Sequence, residues 1–495
     1  MLVRCFHEFW TNVLPVLPVL HRPTFVFGNC SHPLLLNAIA LGSLFLTRKD
    51  ALAKGEKLWH LAHTAVATNW QSLLNYQSPQ DACPGVQLVL TAVLGQTYAM
   101  LSGNPNLRTT SRVFHHLGIA WALHGGLHKL DPSRLEMPDA DATDDDKDTK
   151  WKTWASHMTA ARALLAHYIL DGQISHFSGD TSSRHIQLRL NTMLPEAAWE
   201  ASTADKWIEE LSTVDEDFTF REVFKTILDS KLTINTVTLH KINSMMSWAV
   251  VLEGLQSLSV QCRETDYYGV LPSDEDLQRA LHYIYEYCLQ RLDKRDQLSD
   301  VMIRWHLLCL ERAISICNLC QVICRDHHIK QAIYGRCQGN PTTAILSDEM
   351  SVRDWVQTPA SRQALLHAIA IQTLLEKTRI ESAHGIALPG AIFAAATVYA
   401  AFALSGVHSL MVPKQPDWRD VLLGIRADRG TPTAQFLCSV PLPNGHTDAW
   451  SARNFLYDMN TLQNLLRRLC MQWRIALEMD HILDQYCASI DGIAV

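Results

Sequence analysis

The chain has 495 residues, of which 47% are hydrophobic and 19% are charged. This composition excludes a mostly disordered chain, and the length predicts at least two packed subdomains. The formal net charge of −7 argues against a free-standing nucleic-acid-binding protein, since phosphate contacts need clustered Lys and Arg.

Helices dominate the predicted secondary structure, because apolar residues recur every three or four positions along most of the chain. The first predicted helix ends at Pro15, since proline cannot continue a helix. The predicted helices are 2–14, 32–48, 50–76, 84–101, 107–123, 151–171, 218–230, 233–263, 274–297, 299–329, 359–382, 390–410 and 450–490. Alternating strand patterns are nearly absent, so the fold class is all-α: a large multi-helix domain for which two packed helical subdomains are one arrangement.

Three other segments have distinct compositions. The acidic, proline-containing stretch 131–150 is predicted to be a mobile loop, and 172–195 an irregular stretch. The segment 385–413 has no formal charge and an alanine-rich middle, which predicts a buried central helix rather than a membrane span. The first ten residues, MLVRCFHEFW, lack the layout of a signal peptide, so secretion is not expected.

Cysteine usage points to free thiols in a reducing compartment. The thirteen cysteines are scattered singly, and many lie in apolar stretches. Cys317, Cys320, Cys324 and His327 are residue types that bind zinc, but the cysteines fall at i, i+3 and i+7 of a predicted helix. We therefore predict that they form an apolar core stripe and that this chain has no metal site.

Two histidine pairs are also interpreted as structural. His60 and His63, like His115 and His116, lack any further motif that would define a metal site. We expect them at partly exposed positions of amphipathic helices.

One acidic motif raises an enzymatic alternative. Asp144, Asp145 and Asp148 match the DDxxD pattern with which terpenoid synthases hold magnesium and diphosphate. They follow two prolines in a polar run, DADATDDDKD, so a solvated acidic loop is the favoured interpretation. Nucleophile-elbow, phosphate-loop and dinucleotide-binding motifs are absent from the sequence, and no catalytic residue is predicted.

The opening segment carries a family resemblance. RCFHEFWTNVLPVLPVLHRPTF resembles the entry to the fungal-specific transcription factor domain, or middle homology region, through Pro18, His21, Arg22, Pro23 and Phe25. In that family the phrase is a packed connector between helices. The resemblance implies that Leu17, Leu20 and Phe25 insert into the core, while Arg22 is free to pair with a carboxylate.

Four later phrases resemble the same family in the same order. HPLLLNAIALGSLF and WALHGGLHK resemble two of its helices. WKTWASHMTAARALLAHYILDGQIS resembles its "W-x-x-W … R … LD" helix, and LPEAAWEA resembles its "LP-x-x-x-W-E-A" phrase. The matching residues are Trp151, Trp154, Arg162, Asp171, Pro195 and Trp199. The resemblance implies a structural role for each of them, with residues 1–210 forming the middle homology region and 211–495 a C-terminal helical regulatory half.

Membership would make the chain a nuclear regulator of RNA polymerase II transcription and not an enzyme. Family members usually carry a zinc-dependent DNA-binding module ahead of this region, and such a module is absent from this sequence. We expect DNA binding to come from that missing module, where zinc would be needed, or from a DNA-binding partner; this chain itself is expected to need no cofactor. Homodimerisation, control by a small-molecule inducer, a pure scaffold role and the terpenoid-synthase alternative remain open.

Overall fold

The computed structural model describes most of the chain. The described residues are 1–46, 49–139, 141–178, 195–212, 219–229, 242, 244–264, 272–289, 296–334, 351–377, 385–424, 430–438 and 448–493. Within them the fold is all-α, as predicted. Most buried apolar side chains of the described residues form one large cluster that extends from Phe9 to Ile490, and a small second cluster contains Cys5, Ile39, Leu46 and Ala51.

The N-terminal half contains the long helix Asp144–Ser178 and the shorter helices that pack around it. Its helices are α1 (Leu2–Glu8), α2 (His32–Ser43), α3 (Lys49–Asn75), α4 (Val86–Met100), α5 (Pro105–His124), α6 (Asp144–Ser178), α7 (Glu196–Glu200), α8 (Ala204–Leu211) and α9 (Phe220–Leu228). Helix α1 continues as a π-helical turn over Phe9–Val13. Helix α4 packs on α2, α3, α5 and α6, and α5 also packs on α6.

The C-terminal half surrounds a helix that is buried on every side. Its elements are α10 (Met245–Glu264), α11 (Asp274–Tyr283), α12 (Asp296–Ala313), α13 (Ile316–Asp326), α14 (Val352–Val356), α15 (Pro359–Lys377), α16 (Leu388–Leu404), β1 (Ser409–Pro413), α17 (Trp418–Leu423), α18 (Pro432–Leu437), β2 (Trp450–Asn454), α19 (Phe455–Leu469) and α20 (Ile475–Ile493). All residues of α16 are buried, and it packs on α12, α13, α15, α19 and α20. This is the predicted buried central helix.

Contacts across the middle of the molecule join the halves. Helix α10 packs on α6 and on α12. Arg108 of α5 forms an ion pair with Glu478 of α20, and the backbone amide of Ile475 donates to the carbonyl oxygen of Leu101 at 3.0 Å. The main core is therefore continuous between the two halves, and α5 is in direct contact with the C-terminal helix α20.

Among the described helices, none is long and apolar enough by itself to cross a bilayer. Ser299–Ala313 and Ile316–Asp326 reach the required length only as a pair, and that pair is bent by 61°.

The acidic segment before Trp151 was predicted wrongly. Asp144 begins α6, so the DDxxD residues form the start of a helix and not a loop. Carboxylates in a first helical turn interact favourably with the helix dipole, and lysines one turn later complete ion pairs. One such pair joins Asp146 to Lys150 at 3.4 Å. At its other end α6 extends to Ser178, through part of the stretch predicted to be irregular; residues 179–194 lie outside the described residues.

Other boundaries in the C-terminal half also differ from the prediction. The predicted helix 299–329 is divided at Ser315, whose hydroxyl caps α13. The predicted helix 450–490 contains β2, α19 and α20, and the predicted helix 390–410 ends before β1. Strands β1 and β2 pair antiparallel, from Ser409 opposite Asn454 to Pro413 opposite Trp450.

Candidate functional site

The opening connector places His21 among three tryptophans. The centroid of the His21 ring lies 5.7 Å from that of Trp151, 6.4 Å from Trp154 and 4.7 Å from Trp199. His21 is only 4% exposed, and its burial lowers its pKa to about 4. The imidazole is therefore neutral at physiological pH, consistent with an aromatic packing contact.

Arg162 is the polar centre of this cluster. It has no exposed surface, and its guanidinium donates to Glu196 Oε2 at 2.7 Å and to the carbonyl oxygen of Pro18 at 3.4 Å. The same guanidinium lies over the ring of Trp199, 4.2 Å from the centroid. Ser244 donates to the second oxygen of Glu196 at 2.8 Å. Arg162 thereby connects α6 to the opening connector and to α7.

The end of the connector lies at the surface. Arg22 and Pro23 are exposed, and Phe25 is half-buried against Phe6 and Trp10. Arg22 donates to the backbone carbonyl of Trp10 and lies 5.8 Å from the centroid of its ring. The expected pairing of Arg22 with a carboxylate is thus replaced by a backbone hydrogen bond and a cation–π contact.

The two remaining signature residues lie apart from Arg162. Pro195 immediately precedes α7. Asp171 is buried near the C-terminal end of α6, where its Oδ1 lies 3.1 Å from His115 Nε2 and 3.4 Å from His116 Nδ1. His115 is also buried, which corrects the expectation that it is partly exposed; His116 is exposed.

The cysteine stripe lies in the core on α13. Cys317, Cys320 and Cys324 are buried, and the Tyr486 hydroxyl donates to Cys320 Sγ at 3.3 Å. His327 is at the C-terminal cap of the helix. Cys317 takes part in a disulfide, which corrects the expectation that all cysteines are free.

The N-terminal half contains a large cavity that sequence reasoning missed. It has a volume of about 870 Å³ and is enclosed mainly by α3, α4 and α5; we call it the α3–α5 cavity. Its lining contains no Asp, Glu, Lys or Arg among the described residues. The lining residues are Asn37, Trp59, His63, Val66, Ala67, Trp70, Gln71, Leu74, Asn75, Thr91, Ala92, Gly95, Gln96, Ala99, Thr110, Ser111, Phe114, Leu117, Ala120, Trp121 and His124.

Local sequence signals position the cavity helices. Asn104 caps the start of α5 by accepting from the amide of Asn106 at 3.0 Å, and Pro105 occupies the first helical turn. Gly85, immediately before α4, has a positive φ of 81°, a conformation that glycine adopts without strain. Helix α3 is kinked at Asn69, where φ is −131°.

Aromatic rings form the walls of the α3–α5 cavity. Trp59 and His63 stack with centroids 4.9 Å apart and planes 6° apart, and His63 meets Phe114 edge-on at 5.5 Å. Trp70 and Trp121 stack at 6.4 Å. Burial lowers the pKa of His63, so this wall is neutral at physiological pH. Such walls favour a flat, uncharged, mostly apolar ligand.

Two carboxamides supply unused hydrogen-bond acceptors in the lining. Asn37 Nδ2 donates to the carbonyl oxygen of Thr91 at 2.8 Å, and Gln96 Nε2 donates to that of Phe114 at 3.0 Å. These bonds assign the amide orientation, and the buried oxygens Asn37 Oδ1 and Gln96 Oε1 have no partner within the described residues. Because an unpaired buried acceptor costs about 1–3 kcal/mol, a ligand with N–H or O–H donors is favoured.

The comparisons with known proteins identify a family. Residues 6–299 match the family model described as the fungal specific transcription factor domain. This match extends beyond residue 210, where the quoted phrases end. Neither the curated proteins nor the solved structures contain a match to the chain.

Proposed function

The chain belongs to the fungal specific transcription factor domain family, and from this premise we propose that it is the helical regulatory domain of a nuclear transcription regulator. Its expected output is a change in RNA polymerase II transcription at promoters to which it is brought. The net charge of −7 supports a division of labour in which a zinc module or a partner protein contacts DNA.

The input of the regulator, in this proposal, is a neutral small molecule bound in the α3–α5 cavity. The observation that carries it is the pair of unpartnered buried oxygens, Asn37 Oδ1 and Gln96 Oε1, in an uncharged cavity whose lining includes several aromatic rings. A flat ligand with one or two hydrogen-bond donors satisfies both features. The absence of charged side chains from the described lining disfavours phosphorylated or carboxylated ligands, whose desolvation would not be compensated.

Ligand binding would act through the relative positions of three helices. A ligand shifts a conformational equilibrium only if it binds one state better than the other. The cavity lies between α3, with its kink at Asn69, and α4 and α5, which both pack on α6. A ligand that fixes the distance between α3 and α5 would therefore change how α4 and α5 pack on α6.

A fluorescent probe tests the cavity directly. N-phenyl-1-naphthylamine is flat, neutral and carries one N–H donor, and its emission rises in apolar surroundings. We expect saturable binding with one probe per chain. Replacing Ala67, which lines the cavity, by Phe is expected to weaken binding at least tenfold, about 1.4 kcal/mol, by filling the space.

The matched control is Ala53→Phe, which places the same side chain at an exposed position of α3 outside the lining. It is expected to bind the probe like the unaltered protein. Equal binding by both variants, or emission that rises without saturation, would contradict the proposal.

A further inference from the structure

A compact group of metal-ligating side chains lies between α5 and α6, outside the α3–α5 cavity. Asp171 Oδ1 is 3.1 Å from His115 Nε2 and 3.4 Å from His116 Nδ1. One donor atom from each of the three side chains lies within 4.8 Å of the other two. In place of the sequence-based expectation that the chain has no metal site, we propose that His115, His116 and Asp171 bind a divalent first-row transition-metal ion, with zinc as the best fit.

The separations match the edges of a metal tetrahedron. Zinc bonds to histidine nitrogen and carboxylate oxygen are about 2.0–2.2 Å long, so two ligand atoms of a tetrahedral site lie roughly 3.3 Å apart. The two distances from Asp171 Oδ1 fall on either side of that value. Two imidazoles and a carboxylate are also a donor set that suits zinc and its neighbours in the first transition series.

The hydrogen bond of His115 Nδ1 orients its other ring nitrogen, Nε2, toward the site. His115 Nδ1 lies 2.6 Å from the carbonyl oxygen of Arg112. A carbonyl oxygen only accepts, so Nδ1 carries the proton in that bond. A neutral His115 then directs the lone pair of Nε2 at the carboxylate of Asp171, an arrangement that is repulsive unless a cation lies between the two atoms.

That same bond is typical of the surroundings of a metal ligand. Metal-binding histidines usually donate their second ring N–H to a carbonyl or carboxylate, which fixes the tautomer and the ring orientation. The competing arrangement is an ion pair in which His115 is doubly protonated.

A third histidine adds an independent observation beside the site. His167 precedes Asp171 by one turn of α6 and is completely buried, with its Nε2 directed at the backbone of Gly118. Neither of its ring nitrogens has a hydrogen-bond partner within the described residues. A buried polar ring without partners is unusual, and here it lies next to the three ligands.

The site is open to solvent on one side. The His116 side chain is 52% exposed, whereas those of His115 and Asp171 are buried. An ion can enter past His116 and keep a water molecule as its fourth ligand, as in zinc sites with three protein ligands. Once bound, the ion would fasten α5, which also lines the α3–α5 cavity, to α6.

Zinc and cobalt binding by the purified full chain tests the proposal. The protein is prepared without a polyhistidine tag, stripped with a chelator and dialysed against limiting Zn²⁺. We expect one tightly held zinc per chain, and with Co²⁺ visible absorption bands of a four- or five-coordinate site. His116→Ala is expected to weaken Zn²⁺ binding by at least about 100-fold, because loss of a ligand exceeds loss of an outer partner.

Two further variants keep the result interpretable. Asp171→Asn is expected to abolish binding, while His481→Ala, which removes an exposed histidine of α20, is expected to leave it unchanged. Because His116 is largely exposed, His116→Ala should fold, and its circular dichroism and melting curve verify this. Less than one zinc per chain in the unaltered protein, or equal binding by His116→Ala, would overturn the proposal in favour of a buried ion pair.

Discussion

The guanidinium of Arg162 lies 2.7 Å from the carboxylate of Glu196, and Arg162 has no solvent-exposed surface. Removing one partner of a buried ion pair leaves an uncompensated charge, which costs about 3–5 kcal/mol. We therefore expect Glu196→Ala to lower the free energy of unfolding by about that amount in chemical denaturation. Glu200→Ala, at an exposed position of the same helix, is the control and should change it by less than about 0.5 kcal/mol.

Trp154 should be a strong determinant of stability. It is 1% exposed and packs 5.6 Å from Trp207, centroid to centroid. Truncation of a buried tryptophan to alanine removes apolar contacts and leaves a cavity, so Trp154→Ala is expected to cost about 3–5 kcal/mol. The control is Tyr457→Ala, which truncates an aromatic side chain that is 71% exposed. A melting temperature for Trp154→Ala equal to that of the control would contradict a core role.

Replacing Gly118 by alanine tests the packing of α5 on α6, because the direction of the change in stability depends on that packing. Alanine is usually better than glycine inside a helix by about 1 kcal/mol. At Gly118 of α5, however, a Cβ would lie 1.3 Å from His167 Nε2. Gly118→Ala is therefore expected to destabilise the protein by about 1–3 kcal/mol.

The control for that change is Gly492→Ala. A Cβ at Gly492 of α20 meets no atom within 4 Å, so this substitution should be neutral or slightly stabilising. The measurement is the melting temperature of each variant, compared with that of the unaltered protein. If Gly118→Ala melts at or above the temperature of the unaltered protein, the close approach of α5 and α6 is wrong.

Stability should fall in mild acid partly because of His21. Its pKa is about 4 in the folded protein and 6.5 when solvated, owing to burial. As the pH falls from 6.5 to 4, the unfolded chain takes up a proton that the folded chain does not, so folding becomes less favourable by about 3 kcal/mol. Above pH 6.5 this contribution to the pH dependence vanishes.

Comparing the unaltered protein with His21→Gln separates the contribution of His21 to the pH dependence from that of the carboxylates, which titrate in both proteins. The variant is expected to lose less stability between pH 6.5 and pH 4 in denaturant titrations. Parallel losses in the two proteins would mean that His21 is protonated in the folded state.

Helices with a continuous apolar face were the easiest features to predict. Both ends of helix α4 and the start of helix α16 lie within two residues of their predicted positions, because burial on nearly all sides leaves a long uninterrupted apolar run. Neither five-residue strand was predicted: β2 lies inside the predicted helix 450–490, and β1 begins at the end of the predicted helix 390–410. Their pairing, Ser409 with Asn454, depends on contacts more than forty residues apart and leaves almost no local pattern.

Position within a helix explains the error at Asp144. Aspartate is a weak helix former in a helix interior but is favoured in the first turn, so an acidic run can equally begin a helix or form a loop. Lysines at i+4, such as Lys152 after Asp148, were the available signal for the helix.

Site geometry depends on contacts that no motif encodes. Arg162 and Glu196 are 34 residues apart, and the ion pair between them exists only after α6 and α7 pack. The α3–α5 cavity likewise depends on packing, because it is the space that three helices leave between them beside Trp70 and Phe114. A sequence can suggest amphipathic helices, but not the volume left between them.

The central claim is that this chain alters transcription when it is brought to a promoter. The most direct measurement fuses residues 1–495 to a heterologous DNA-binding domain and follows a reporter gene in a fungal cell, against the DNA-binding domain alone. Our account predicts a clear change in reporter transcript, upward or downward, that Ala67→Phe alters and Ala53→Phe does not. A transcript level equal to that of the DNA-binding domain alone, on both an inactive and an active promoter, would contradict it.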